Sequence, residues 1–464
     1  MTRSKQQMDM LHGSMLGKIF IFALPLMASG ILQQSFNAVD VAIIGHYSTS
    51  QAIAAVGSNG MIISILVNLF LGIALGANVI IAQYIGQRNH AGVQRSVATV
   101  AVISVISGIF LAIAGVLLAR PILEAMSAPE DVIDLATEYL RVYFLGMPFI
   151  MIFNFGSAIL RSVGDTMRPF YALVVATVVN AVLDWFFVSS LDWGVAGVAA
   201  ATVVANGVNA LIIIRILVTA PDPITLNLKK LGVSGKDLGK ILRIGIPAGV
   251  QGMIFSLSNI FIQASINKFG AYAVAGSAAA LTFEAYCYYI ITSVCAATIA
   301  FTGQNYGAGQ LKRCKRVWAM TMAVCILASL AMNMLIMWQE RACMSLFTKD
   351  PEVLKYAFIR IHTVLAFQCL ASTYEVSGAY MRGLGYSVMP MLLTIFGTCV
   401  LRLLWVFTVA ADAKDFGVLL SIYPISWAIT GILVTGAAFI VQRKAFNKEL
   451  SYEYKKHIEQ RKLT

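Results

Sequence analysis

Twelve apolar stretches, each long enough to cross a bilayer, run through this chain from end to end. They lie near residues 17–44, 53–83, 95–119, 132–158, 168–190, 194–218, 240–267, 272–303, 316–339, 354–379, 387–410 and 416–442. About 20 apolar residues suffice for a spanning helix. Backbone in hydrocarbon must satisfy its own hydrogen bonds, which leaves helices or a closed barrel, and runs of this length select helices. Only 12% of the 464 residues are charged, and mean hydropathy is +0.78. Soluble proteins carry about 25% charge, and a single soluble core stops growing at about 250–300 residues. The expected fold class is therefore an all-α polytopic membrane protein. The apolar run after Lys18 passes Gln33 and Gln34 toward Ile44 with no small-residue cleavage site closing a short segment, so it reads as the first span rather than a signal peptide.

Charge placement gives the orientation. One set of connections carries 24 Lys and Arg: the N-terminal tail, Arg88 and Arg95, Arg161 and Arg168, the linker from Lys229 to Arg243, Lys312 to Arg316, Arg382, and the tail from Arg443. The opposite set carries five, namely Arg120, Lys268, Arg341, Lys349 and Lys414. The positive-inside rule puts both termini and the 219–239 linker in the cytoplasm. The net charge of +12 is thus a topology signal, helped by anionic lipid headgroups, and no nucleic-acid partner is expected. Arg141, Arg215, Lys355 and Arg360 sit toward span ends and are read as snorkelling. The seven cysteines, at 287, 295, 314, 325, 343, 369 and 399, show no metal-ligand or disulfide spacing and read as apolar packing residues.

The chain is also duplicated. "IAQYIGQRNHAGVQR" (81–95) aligns without gaps on "TGQNYGAGQLKRCKR" (302–316), placing Gln83 on Gln304, Gly86 on Gly307 and Arg95 on Arg316. At the same offset "LRSVGDTMRP" (160–169) meets "MRGLGYSVMP" (381–390), and Pro25 meets Pro247 one residue out of step. Six spans per copy is an even number, so the copies are parallel lobes with a pseudo-twofold axis along the membrane normal. The expected division is an N-terminal lobe at 1–218, a cytoplasmic linker at 219–239, a C-terminal lobe at 240–442 and a cytoplasmic tail at 443–464. Two such lobes around a cleft suit alternating access. A channel is disfavoured, because no filter-like carbonyl loop or ring of charge is evident.

Polar residues inside the spans mark candidate sites, because a charge at the bilayer centre costs about 2.5–3.5 kcal/mol even on insertion scales. In "SFNAVDVAIIGH", Gln33, Asn37 and Asp40 share one helical stripe, with Gln34 beside it. In "VVNAVLDWFF", Asn180 and Asp184 are one turn apart, while Thr202 and Tyr139 lie at similar depth in neighbouring spans. Together these can form an oxygen-rich pocket that takes up H⁺ or holds Na⁺; the plainer alternative is helix–helix hydrogen bonding. The second half carries Ser256, Asn259, Gln263 and Asn267 along span 7 instead. Its buried acids are Glu284, near Phe283, Tyr286 and Tyr288, and Glu375. An acid among aromatic rings suits a lipophilic cation, and the 20 methionines offer an adaptable wall. Either acid can instead pair with Arg402 in span 11. No nucleotide loop, metal cluster or nucleophile–base arrangement points to an enzyme, and no cofactor is implied beyond a coupling ion.

The segments "ALPLMASGILQQSFNAVDVAIIGH", "LRSVGDTMRP", "NAVLDWFFVSSLDWGVAGVAAAT", "GIPAGVQ", "TGQNYGAGQ" and "YMRGLGYSVMP" together resemble the multidrug and toxic compound extrusion (MATE) transporters, over about residues 15 to 442. The resemblance implies twelve helices in two lobes and a prokaryotic plasma (inner) membrane location. It also implies export of lipophilic, often cationic, drugs or metabolites against H⁺ or Na⁺, by a chain expected to work as a monomer. In the branch with an acidic first-lobe site, the coupling residues fall on Asp40, Asn180, Asp184 and Thr202, with a tyrosine at Tyr139. Pro25 matches the proline at which the first helix is proposed to bend. The other branch carries a glutamate eight residues after its span 7 proline, and that position here is Phe255. The alternatives at this point are a lipid-linked sugar flippase of a related branch and a non-transporting membrane receptor or scaffold.

Overall fold

The computed structural model describes residues 8–47, 49–125, 130–411 and 415–463. A few helical side chains, Asn37 among them, and all side chains from residue 448 onward lie outside that description, as does Lys414 of the charge count. Among the described residues the chain is helical, with no strand. The first half comprises α1 (Leu16–Tyr47), α2 (Ser50–Gly86), α3 (His90–Ala125), α4 (Glu130–Leu145), α5 (Met147–Ser162), α6 (Met167–Trp185) and α7 (Gly194–Val218). The second begins with α8 (Gly235–Asn267), α9 (Ala271–Gly307), α10 (Leu311–Trp338) and α11 (Glu340–Ser345). It ends with α12 (Pro351–Thr363), α13 (Ala371–Gly383), α14 (Val388–Thr394), α15 (Leu401–Phe407), α16 (Phe416–Leu420) and α17 (Ile422–Leu463). Among the described residues, eleven helical segments are long and apolar enough to cross a membrane, and a bent pair, α4 with α5, makes a twelfth if it is taken as one span.

The bend in that twelfth span, 49°, has a local cause. Pro148 cannot donate a backbone N–H, so the carbonyl of Phe144 loses its partner one turn earlier, and Gly146 forms the N-cap of α5. Other spans are interrupted more gently. A 3₁₀ turn, Leu365–Leu370, joins α12 to α13. A π turn, Ile395–Val400, joins α14 to α15, and another, Phe186–Ser190, extends α6.

The duplication is written into the helix ends. Helix α2 runs Ser50–Gly86 and α9 runs Ala271–Gly307, so both ends are displaced by 221 residues. The same offset relates the starts of α3 and α10 and of α6 and α14. It also relates the backbone exceptions: Gly164 (φ 87°) pairs with Gly385 (φ 93°), and Arg88 (φ 55°) with Gly309 (φ 70°). Left-handed backbone suits glycine. At Arg88 the repeat keeps the turn with a side chain that bears that conformation less readily.

One compact unit is built mainly of Leu24–Ile85 and Asn89–Gly249, and a second of Asp9–Ala23, Gly86–Arg88 and Val250–Thr464. In the first, α3 shows how a membrane helix is sorted. Phe110, Ile113 and Leu117 form an exposed apolar stripe, while Ser104, Ser107, Gly108, Leu111 and Gly115 are buried. Apolar outside and small inside is the pattern of a helix that packs closely in lipid. At the described glycines of this unit, the closest backbone-to-backbone approach is α2 on α8. A Cβ added to Gly72 would lie 2.2 Å from the Gly249 nitrogen, and one at Gly76 would lie 2.4 Å from the Ile241 carbonyl oxygen. Gly245 and Gly249 are equally tight against Ile73 and Leu69, so two G-x-x-x-G faces meet. Gly72→Ala is therefore expected to cost about 1–3 kcal/mol by overpacking and to lower the unfolding temperature of purified protein. Gly60→Ala, whose Cβ meets nothing within 4 Å, is the matched control and should leave it unchanged.

Candidate functional site

Four elements of the first unit bring the sequence-derived acidic cluster together. Helix α1 supplies Asp40, α6 supplies Asn180 and Asp184 on one face, α7 supplies Thr202 and α4 supplies Tyr139. All five are nearly inaccessible, with Asn180 and Asp184 at 0% exposure and Asp40 at 3%. The Asp40 carboxylate has Asp184, Asn180 and Thr202 as its side-chain neighbours, and Thr202 Oγ1 donates to Asp40 Oδ2 at a long 3.5 Å. Tyr139 stacks on Tyr143 with ring centroids 5.9 Å apart, and both tyrosines lie within electrostatic reach of Asp40. Asp184 sits in the last turn of α6, two residues before the π turn Phe186–Ser190.

The pocket is underbonded. Asp40 Oδ1, both Asp184 carboxylate oxygens and both polar atoms of Asn180 make no hydrogen bond of good geometry among the described residues, although Asp40, Asp184 and Asn180 lie side by side. Leaving a buried acceptor unsatisfied costs about 1–3 kcal/mol, more if it is charged, and most buried polar groups in folded proteins are paired. These five atoms around two carboxylates make a buried, oxygen-rich cluster with few donors. A shared proton or a small monovalent ion satisfies that donor set. Among the described residues, no group of three or more His, Cys, Asp or Glu side chains is placed to hold a metal.

The second unit has a different chemistry. Glu284 of α9 is held by Arg360 of α12 in a two-pronged ion pair, Nε to Oε1 at 2.6 Å and Nη2 to Oε2 at 2.8 Å. Arg360 Nη1 also donates to Ser277 Oγ at 2.8 Å, and Gln368 Nε2 to the Glu284 carbonyl at 2.9 Å. Arg360 is thus fully engaged in the interior and does not snorkel. Glu375 accepts a 2.9 Å hydrogen bond from the Tyr288 hydroxyl. Arg402 takes neither acid as its partner. It donates from Nε to Ser426 Oγ at 3.1 Å and lies over the rings of Tyr423, Phe255 and Trp427, at 4.5, 5.6 and 5.9 Å from their centroids.

The remaining candidates are dispersed. Gln33 and Asn259 are exposed, Gln34 and Ser256 half-buried, and Gln263 donates to Asn267 at 3.0 Å. The side chain of Asn37 lies outside the described residues. Pro25 is inside continuous α1, where it removes the donor for the Ile21 carbonyl. Sequence reasoning missed Tyr143 and Arg360, though both leave a trace. Tyr143 is one turn beyond Tyr139, and Arg360 stands 221 residues after Tyr139, at the repeat offset. Tyr423 stands likewise opposite Thr202, so the second copy puts a guanidinium and a phenol where the first has a phenol and a hydroxyl.

A family model described as MatE matches residues 25–186 and 247–408, one copy in each half. The chain is 27% identical over 433 residues to a protein of Bacillus subtilis named probable multidrug resistance protein YoeA, covering 91% of this chain and 93% of that one. It is 25% identical over 399 residues to the probable multidrug resistance protein NorM of Thermotoga maritima, covering 82% of each. Among solved structures, an outward-facing multidrug resistance transporter of the MOP superfamily superposes with a TM-score of 0.88 at 24% identity, over 96% of this chain and all of that one. That likeness fixes the fold as the twelve-helix, two-lobed one.

Proposed function

The chain belongs to the MatE family and is a multi-pass membrane protein, and from that premise we propose that it exports lipophilic, often cationic, small molecules in exchange for an inward-moving H⁺ or Na⁺. The observation that carries this reading is the buried pocket of Asp40, Asp184, Asn180 and Thr202 with its orphaned oxygens. Relatives named as multidrug resistance proteins support the substrate class.

The pocket works through differential occupancy. Empty, it holds two desolvated carboxylates with too few donors, which is costly in low dielectric. A cation entering from outside satisfies those oxygens and favours the arrangement of α1, α4, α6 and α7 that closes around it. Tyr139 and Tyr143 supply a dry wall, and Thr202 orients one oxygen of Asp40. Pro25, with its missing hydrogen bond, is the point at which α1 yields as Asp40 is drawn in. Export then follows if the cation-bound arrangement binds substrate less well than the cation-free one. The coupling is reciprocal, and about 1–3 kcal/mol is its usual size. No bond is made or broken. Both termini and the 219–239 linker face the cytoplasm, the lobes divide as 1–218 and 240–442, and a single chain suffices.

The test is efflux of a fluorescent lipophilic cation from proteoliposomes, with a pH gradient and a Na⁺ gradient imposed separately. One gradient is expected to drive efflux and thereby name the ion. No efflux under either, from protein that binds the dye, would refute the antiporter.

A further inference from the structure

The segment joining the two repeats is a fixed strap on the basic side of the first unit. Leu226 N donates to the Leu217 carbonyl at 2.9 Å, and the Thr225 hydroxyl to the Ala220 carbonyl at 2.7 Å. Asn227 caps the short turn Leu228–Lys230, and Ser234 N donates to Thr99 Oγ1 of α3 at 3.0 Å. Between strap and helices lies a cavity of about 570 Å³ whose polar lining includes Gln94, Arg95, Asn227, Lys230 and Ser234. The one acid on its wall, Asp222, is already held by Gln94 Nε2 at 3.1 Å. Arg95 gives its Nε to Asp237 at 3.2 Å but stays 49% exposed, and Lys230 is exposed.

A second, apolar groove of about 100 Å³ shares Leu226 with this cavity and runs along α3 and α5, past Val100, Val105, Phe155, Leu228 and Leu231. Val105, Leu228 and Leu231 are each well exposed. A basic polar chamber lying beside an apolar groove, with Leu226 common to both walls, is matched by a molecule with an anionic head and an alkyl tail.

We propose that strap and helices form a specific site for an anionic phospholipid, with its phosphate between Arg95 and Lys230 and part of one acyl chain in the groove along α3. A neutral lipid offers Lys230 no net charge, and a free phosphate leaves Val105, Leu228 and Leu231 uncovered. The bound lipid would touch Arg95, whose partner Asp237 accepts from the Tyr84 hydroxyl at 2.6 Å, while Lys240 donates to that hydroxyl at 2.7 Å. It therefore steadies the junction of α2, α3 and α8.

The test is thermal unfolding of delipidated full-length protein with added dioleoylphosphatidylglycerol, dioleoylphosphatidylcholine or glycerol 3-phosphate. Phosphatidylglycerol is expected to raise the midpoint by about 3 °C more than phosphatidylcholine, and glycerol 3-phosphate to leave it unchanged. Lys230→Glu, on an exposed turn, and Val105→Trp, which fills the groove, should each remove that difference. Equal shifts with the two lipids, or a difference surviving in both variants, would overturn the site. A shift given equally by glycerol 3-phosphate would replace the lipid with a soluble phosphate and overturn it too.

Discussion

Asp184→Asn is expected to reduce gradient-driven efflux from proteoliposomes at least about 10-fold, within the usual range of allosteric coupling, while dye binding to the solubilised protein is largely retained. The amide matches the carboxylate in shape and fills the same space in α6, but it neither takes up a proton nor offers a charge to Na⁺. Asp40→Asn should behave alike, because each carboxylate is the other's neighbour and one alone cannot share the cation. Thr202→Val should cost less, since its bond to Asp40 is long at 3.5 Å. Loss of dye binding together with transport would place these residues in substrate contact instead. Unchanged efflux in both Asn variants would remove the pocket from the coupling.

Glu284→Ala should be the most destabilising single change in the second unit. Its carboxylate is 7% exposed and Arg360 is 3% exposed, so removing the acid leaves a buried guanidinium with the neutral side chains of Ser277 and Tyr423 as its remaining hydrogen-bond partners. Breaking a buried pair in this way typically costs about 3–5 kcal/mol. Replacing both partners with apolar residues of similar volume, Glu284→Leu with Arg360→Met, removes the charge and its desolvation together. That double variant should recover most of the loss, because such swaps are often neutral or stabilising. Thermal unfolding of the single and double variants measures the difference. A double variant as unstable as Glu284→Ala would show that the pair contributes packing and hydrogen bonds rather than charge compensation.

Much of this architecture is legible in the sequence because the bilayer imposes one length and one rule of hydrogen bonding. Hydropathy places all twelve spans, and the self-alignment of Gln83–Gly86 on Gln304–Gly307 anticipates helices whose ends coincide at one offset. The acidic cluster is legible for a similar reason. Asp40, Asn180 and Asp184 are polar residues in apolar runs, so helical spacing alone puts the latter two on one face. Arg360 is harder, since its position toward a span end is equally compatible with snorkelling, and its acid lies 76 residues away. Only a packed structure decides which acid an arginine meets. The repeat offset from Tyr139 nonetheless marks the position as interior. The π turn at Phe186–Ser190 is not legible in the sequence, because nothing in hydropathy or helical spacing distinguishes it from ordinary helix.

In the proposed cycle, the Asp40–Asp184 cluster takes up a cation in exchange for substrate bound by the same protein. The most direct measurement is calorimetric titration of the solubilised protein with a lipophilic cation, in buffers of different ionisation enthalpy and at several Na⁺ concentrations. Substrate binding is predicted to release protons or to weaken as Na⁺ rises, and Asp40→Asn and Asp184→Asn should each abolish that linkage while still binding substrate. Binding with no proton release and no Na⁺ dependence in the parent, or a linkage that persists in both variants, would exclude that exchange.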